Sequence, residues 1–362
     1  MKKVLVRFYN KNNLGDDLFV HILTSRYLNQ FSTVLQLKNT GIESISNMRI
    51  FKLRIVDSLF YRFERIFRIK NILITLLSNR NDILIYIGGS IFIEDNQMQE
   101  WKREKGFYRR LKIPYYIIGS NIGPYKSDLF IPIVKCILTG AKDVCLRDQS
   151  SYKLVEDLPN VRVSTDIAFA LNTKPYNIVK DKIAIFSLID GTKKFDSITT
   201  SEYEGSVRTL TVQLLKKGYR VIYMSFCEYE GDEIANKRIR AELPVEMYSM
   251  VEEFKYRGNL DDALSLLAAS EIIVASRFHA TILGMVFGKK VLPLAYSNKT
   301  TDILADMGFP GTVVDIRKIN QFDPIAFDFN KIPKIDITEQ RILAETQFQE
   351  LDKVLVKRIA DA

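Results

Sequence analysis

Short, predominantly apolar runs, each followed by a longer stretch of helical period, constrain this chain more than any other feature. They are Val4–Tyr9, Ile83–Ile87, Tyr115–Gly119, Asp143–Leu146, Ile183–Leu188, Arg220–Phe226, Glu271–Ala275 and Lys290–Leu294. A strand that is apolar throughout rather than alternating has to be covered on both faces, as parallel strands are when crossover helices lie above and below them. The fold class is therefore α/β. The polar, proline-bearing stretch Asn172–Lys182 interrupts the pattern, and each half has its own set of strands. We expect an N-terminal Rossmann-like domain over 1–174, a second over 175–337, and a closing helix over 338–362. In that last segment Ile342, Leu343, Leu351, Val354, Leu355 and Ile359 fall close to helical period. The length, 362 residues, suits two domains of about 150 residues each.

Charge and missing motifs narrow the function. A formal net charge of +9 favours an anionic partner. With only His21 and His279, and with Cys136, Cys145 and Cys227 in no CxxC arrangement, the sequence offers no metal cage. Sparse, unpaired cysteines fit a reducing compartment, where thiols act as small buried hydrophobes. The first apolar run is too short for a signal peptide, and no stretch of about 20 apolar residues follows, so a cytoplasmic protein is expected. There is no GxxxxGK[ST] loop, no GxGxxG after the first strand and no GxSxG elbow. Their absence argues against a P-loop nucleotidase, a standard dinucleotide dehydrogenase and an ordinary α/β-hydrolase. No RNP, zinc-finger or helix-turn-helix signature supports a nucleic-acid partner.

The richest chemistry lies in Glu271–Thr300. An apolar strand ends at Ser276-Arg277-Phe278-His279, and a helix runs on until Gly288 stops it. Open parallel sheets bind ligands beyond the carboxyl ends of their strands, so this turn faces a cleft. The helix start offers unpaired N–H groups and partial positive charge. Arg277 adds a planar fork suited to phosphate or carboxylate, and His279 a group able to move protons near neutrality. His21, inside an apolar helical pattern, reads as structural.

Three glycine-bearing turns in the first half also follow strands directly: Asn13-Leu14-Gly15-Asp16, Gly88-Gly89-Ser90, and Gly119-Ser120-Asn121. They gather at one sheet edge, where backbone can approach a ligand closely. Arg147 is a second guanidinium at a strand end, with Asp148 or Ser150 available to cap the next helix and Asp166 near the same edge. A salt bridge to a neighbour is the other reading of Arg147.

Taken together these elements resemble the polysaccharide pyruvyltransferase family. The matching segments, in family order, are NLGDD from Asn13, GGS from Gly88, GSNIGP from Gly119, LRDQSS from Leu146, DIAFAL from Asp166, and SRFHATILGMVFGKKVLPLAYSNK from Ser276 to Lys299. The resemblance implies a GT-B-like arrangement of two Rossmann-like domains with a ligand cleft. It implies transfer of pyruvate from phosphoenolpyruvate to a sugar as a ketal, with no metal or other cofactor, on a cell-surface polysaccharide or its lipid-linked precursor. Arg147 and Arg277 would hold the donor's phosphate and carboxylate, and His279 would be the acid–base group. Asn13, Gly15, Asp16, Gly88, Gly89, Ser90, Gly119, Ser120 and Asp166 would line the substrate site, with Asp16 and Asp166 orienting acceptor hydroxyls and Lys299 neutralising departing phosphate. Ser90 stands where many relatives have a third glycine, and Phe278 where leucine is common; both bear on the acceptor. Two alternatives stay open: a GT-B glycosyltransferase using a nucleotide sugar, and a non-catalytic saccharide-binding relative.

One segment stands apart. Arg49–Lys70 has seven basic and two acidic residues, with Val56, Leu59, Phe60, Phe63 and Phe67 on one helical face. It reads either as a helix making peripheral contact with an anionic membrane, or as an ordinary surface helix packed on the sheet.

Overall fold

The computed structural model describes residues 2–9, 11–27, 34–36, 50–52, 72–94, 98–178 and 181–356. They form two compact units. The first comprises Met1–Asn10, Leu18–Ala170 and Gln340–Ala362, and the second Lys11–Asp17 and Leu171–Glu339. The principal division thus falls at Ala170/Leu171. Two segments cross it in sequence: the Asn13-containing turn is grouped with the second unit, and the last segment with the first.

In the first unit, β1 (Val4–Arg7) is followed by β2 (Val34–Gln36), β3 (Ile50–Lys52), β4 (Ile83–Ile87), β5 (Tyr115–Ser120), β6 (Asp143–Leu146) and β7 (Val161–Val163). The main sheet has the order β1-β4-β5-β6-β7, all parallel, with Leu5 opposite Leu84 and Ile117 opposite Val144. β2 and β3 pair with each other, also in parallel. Every residue of β5 and β6 is buried, as a sheet covered on both faces requires. The Phe130–Thr139 helix turns Ile133, Val134, Ile137 and Leu138 inward. Cys136 falls on its opposite face and is exposed, contrary to the expectation of buried thiols, because the apolar stripe already takes the inward positions. Cys145 and Cys227 are buried, and burial pushes their thiols up to about 12 and about 11.

The expected closing helix is two helices, Thr338–Thr346 and Gln349–Leu355. Between them Gln347 and Phe348 are completely buried. The Gln347 amide accepts from the Gly119 N–H (3.0 Å) and donates to the carbonyl of Thr165 (2.8 Å). Helical geometry yields here to the pairing of interior backbone groups that would otherwise be costly. Of the basic segment 49–70, only Ile50–Lys52 is described, and it forms β3 rather than helix; the rest lies outside the described residues.

The second unit contains β8 (Ile183–Ser187), β9 (Arg220–Ser225), β10 (Val251–Lys255), β11 (Ile272–Ala275), β12 (Lys290–Ala295) and β13 (Val314–Asp315). All pair in parallel in the order β10-β9-β8-β11-β12-β13. The chain works outward from β8 in one direction and then resumes at β11 in the other. The β8/β11 junction is therefore a topological switch point, where open α/β sheets leave a crevice beyond the strand ends. Among the described residues, no helix is long and apolar enough to cross a membrane.

Candidate functional site

The second unit's site begins where β11 stops. Ser276 extends the pairing by one residue, its N–H donating to the Ser187 carbonyl (2.7 Å), and its hydroxyl lies 2.9 Å from that of Tyr203. Arg277 then takes the N-cap position in extended conformation, and Phe278–Val286 forms the helix. Gly284 lets that helix sit close to the sheet, since a Cβ there would meet Val291 Cγ2 at 2.6 Å. Arg277 and His279 are thereby delivered to the crevice at the switch point.

Arg277 is nearly buried, and carboxylates meet it along two edges. Its Nε donates to both oxygens of Asp232 (3.1 and 3.2 Å), Nη2 donates to the same carboxylate, and Nη1 donates to Glu230. Asp232 is itself fixed, its Oδ2 accepting from the N–H groups of Phe226 (2.9 Å) and Cys227 (3.0 Å). Burial disfavours the Arg277 charge, but the two carboxylates more than offset it and raise its pKa further. Burial likewise works against the Glu230 charge, yet Arg277 prevails and holds that carboxyl below its ordinary range.

His279 lies against the Asn13–Asp17 turn. A Cβ on Gly15 would come within 2.5 Å of His279 Cε1 and 2.6 Å of Cγ, so the ring rests directly on glycine backbone. The turn is tied down by the Leu14 N–H donating to the Phe226 carbonyl (3.0 Å) and by the Asn13 side chain accepting from the Gly15 N–H (3.1 Å). Asp16 is buried in the first turn of the Leu14–Arg26 helix. Beside it, Asp17 is buried and accepts from the Tyr256 hydroxyl (2.7 Å); burial pushes this carboxyl up to about 7 against the lowering effect of that bond.

The first unit has its own cluster. The Arg147 side chain is completely enclosed, with Nη1 donating to Asp166 (2.6 Å) and Nη2 to the Asn121 side chain (2.9 Å). Its guanidinium lies over Gly89, where a Cβ would meet Nη1 at 2.5 Å. Backbone bonds join the same turns: Asn121 N–H to Gly89 carbonyl (3.1 Å) and Arg147 N–H to Ser120 carbonyl (2.9 Å).

Arg147 makes the salt bridge that is the second of its two sequence readings: it is buried in an ion pair with Asp166 that knits three turns together, since an enclosed guanidinium needs a carboxylate. Asp166 is that carboxylate and also accepts from the Ala168 N–H (2.9 Å). Gly119 and Ser120 are interior as well: a Cβ on Gly119, whose φ is +76°, would strike Ile167, and Ser120 is fully buried. Gly88 and Gly89 are buried, and Ser90 alone of that turn is exposed. Lys299 lies in the Asn298–Asp306 helix, its side chain outside the described atoms. Arg277, His279, Asn13 and Gly15 are brought together within one unit, and Arg147 belongs to the other. Sequence reasoning missed Asp232, Glu230 and Gln347. For Asp232 the only signal was an acidic residue after Gly231 at a helix start.

Two parallel-stranded units of this order define an α/β protein of GT-B-like fold, and solved structures share it. HepE of Anabaena, in complex with UDP and glucose, superposes with a TM-score of 0.56 at 12% identity, covering 98% of this chain and 99% of that one. The UDP-GlcNAc 2-epimerase of Methanocaldococcus jannaschii gives 0.58 at 9% identity, covering 97% and 99%. More specifically, the chain belongs to the polysaccharide pyruvyl transferase family, whose model matches residues 13–298. It is also 23% identical over 284 residues to the amylovoran biosynthesis protein AmsJ of Erwinia amylovora, covering 72% of this chain and 68% of that protein. Membership places the chain among transferases of polysaccharide biosynthesis.

Proposed function

We propose that the protein transfers pyruvate from phosphoenolpyruvate to a sugar of a cell-surface polysaccharide, or of its lipid-linked precursor, as a ketal. The observation that carries this reading is the placement of both Arg277 and His279 at the end of β11, beside the β8/β11 switch point, in the segment that resembles the family most specifically. Phosphoenolpyruvate is a compact anion of about three charges, and the start of the Phe278–Val286 helix beside Arg277 offers it N–H groups and partial positive charge. In the reaction, a proton is added to the vinyl methylene carbon, making it a methyl group and C2 electrophilic. A sugar hydroxyl then bonds to C2 and gives up its proton while the C2–O bond to phosphate breaks. A neighbouring hydroxyl closes the ketal and releases the second proton, which leaves on phosphate. His279 is the group assigned to these transfers, and Gly15 sets its ring plane. Arg147 acts in this scheme as a positioning residue for the turns that present Ser90.

The test is phosphate release from phosphoenolpyruvate with a panel of soluble and lipid-linked saccharides. Arg277→Ala and His279→Ala should each lower the rate by about 10²-fold or more; wild-type rates in both would reject the site. Because HepE, which shares this fold, is solved with UDP and glucose, thermal shift with a UDP-sugar is run beside phosphoenolpyruvate. Stabilisation by the nucleotide sugar alone would favour glycosyl transfer. The same reading places the enzyme in the cytoplasm at the inner membrane face. Replacing Arg62, Arg65 and Arg68 by glutamate should then weaken binding to anionic vesicles.

A further inference from the structure

The two carboxylates on Arg277 differ in how they are held. Asp232 is wholly buried, clamped by two backbone N–H groups, and begins the Asp232–Ala241 helix. Glu230 has 32% of its side chain exposed and sits on the short Glu228–Glu230 turn, which ends at Gly231 in the left-handed region (φ +94°). Asp232 therefore takes the inner edge of the guanidinium, and Glu230 takes the outer Nη1 position from the more exposed side. Lysines stand close by. Lys193 Nζ donates to the Glu230 carbonyl (3.2 Å), and the charges of Lys194 and Lys193 both act favourably on the Glu230 carboxylate. Lys194 also lies over the Tyr296 ring, 4.7 Å from its centroid.

An anion approaching Arg277 thus finds its coordination position already filled by an anion of the chain itself. We propose that Glu230 is the residue that sets donor affinity: it occupies the anion-receiving position of Arg277 and is displaced toward Lys193 and Lys194 when the donor's carboxylate or phosphate binds. This deepens the proposed function and rests on it. The exchange swaps one charge-assisted pair for another, so the net affinity is the difference between the two, and specificity follows. A singly charged small carboxylate gains little over Glu230, whereas a multiply charged phosphate ester gains more.

The test compares wild type, Glu230→Gln, Glu230→Ala and the control Glu228→Gln, which lies on the same turn but pairs with Arg257. Titration calorimetry with phosphoenolpyruvate and, separately, inorganic phosphate gives the affinities. Both Glu230 variants should bind phosphoenolpyruvate about tenfold more tightly and show a lower KM without a proportional rise in kcat, and Glu228→Gln should match wild type. Unchanged or weaker binding in folded Glu230 variants overturns the inference. If wild type fails to bind phosphoenolpyruvate, the proposed function is rejected. Tighter inorganic phosphate in the Glu230 variants would then still support displacement, and no tightening of either anion would overturn it.

Discussion

The imidazole of His279 rests where a side chain on Gly15 would have to be, so a residue near the start of the chain fixes the ring of one encoded 264 positions later, at 279 − 15. Gly15→Ala should therefore push the ring from its plane. We expect turnover to fall by at least about tenfold, with a stability loss of about 1–3 kcal/mol from overpacking. A Gly15→Ala protein with wild-type kcat would show that ring placement is not what this glycine provides.

Gly89→Ala makes the corresponding test in the first unit, because its Cβ would meet the Arg147 guanidinium. More informative is the ion pair itself. Asp166→Leu and Arg147→Met each leave a buried group without its counter-charge and should cost about 3–5 kcal/mol, while the double variant Arg147→Met/Asp166→Leu should cost less than the sum. Denaturant midpoints for the three proteins measure this; strict additivity would mean that the two side chains do not act as a pair.

Asp17 gives the molecule a pH response. Its carboxyl, ordinarily at 3.8, is raised to about 7 in the folded protein by burial, so the folded state holds a proton that the unfolded state has lost. The stability from this group is fully present below about pH 4 and is lost as pH rises through about 7. Asp17→Asn keeps a partner for the Tyr256 hydroxyl and removes the titration. Its melting temperature should exceed that of wild type at pH 8 by several degrees, with the gap closing toward pH 4. A gap independent of pH would refute the assignment.

Gln347→Ala would leave the Gly119 N–H and the Thr165 carbonyl without their side-chain partner. Each such group costs about 1–3 kcal/mol when buried. The thermal midpoint should fall accordingly, and amide exchange at Gly119 should quicken. Unaltered exchange there would place the Gly119 bond elsewhere.

Much of this architecture was readable in the chain because continuous apolar runs such as Tyr115–Gly119 and Glu271–Ala275 can be little else than doubly covered strands. β10 escaped notice for the complementary reason: at the sheet edge, Val-Glu-Glu-Phe-Lys is half exposed and lacks the apolar signature. The strand-end placement of Arg277 and His279 was legible from the strand–turn–helix pattern alone. Their partners were not, since Asp232 lies 45 residues from Arg277 in sequence and local pattern carries no record of such a pairing. Arg147 and Asp166 are legible as polar residues at a strand edge, and a salt bridge is one reading of Arg147, but nothing in the local pattern names Asp166 as its counter-ion. Position tells which edge a side chain leaves from, whereas enclosure depends on the packing around it.

The grouping of Lys11–Asp17 with the second unit, and of Gln340–Ala362 with the first, has a consequence for how such a protein can be taken apart. Neither lobe is a continuous piece of chain. A gene divided at the polar linker would yield one fragment lacking the glutamine wedge under its strand ends and another with an imidazole that has lost its glycine bed. Two halves expressed that way would have to be supplied together, each restoring the other's missing strip, before either could finish folding.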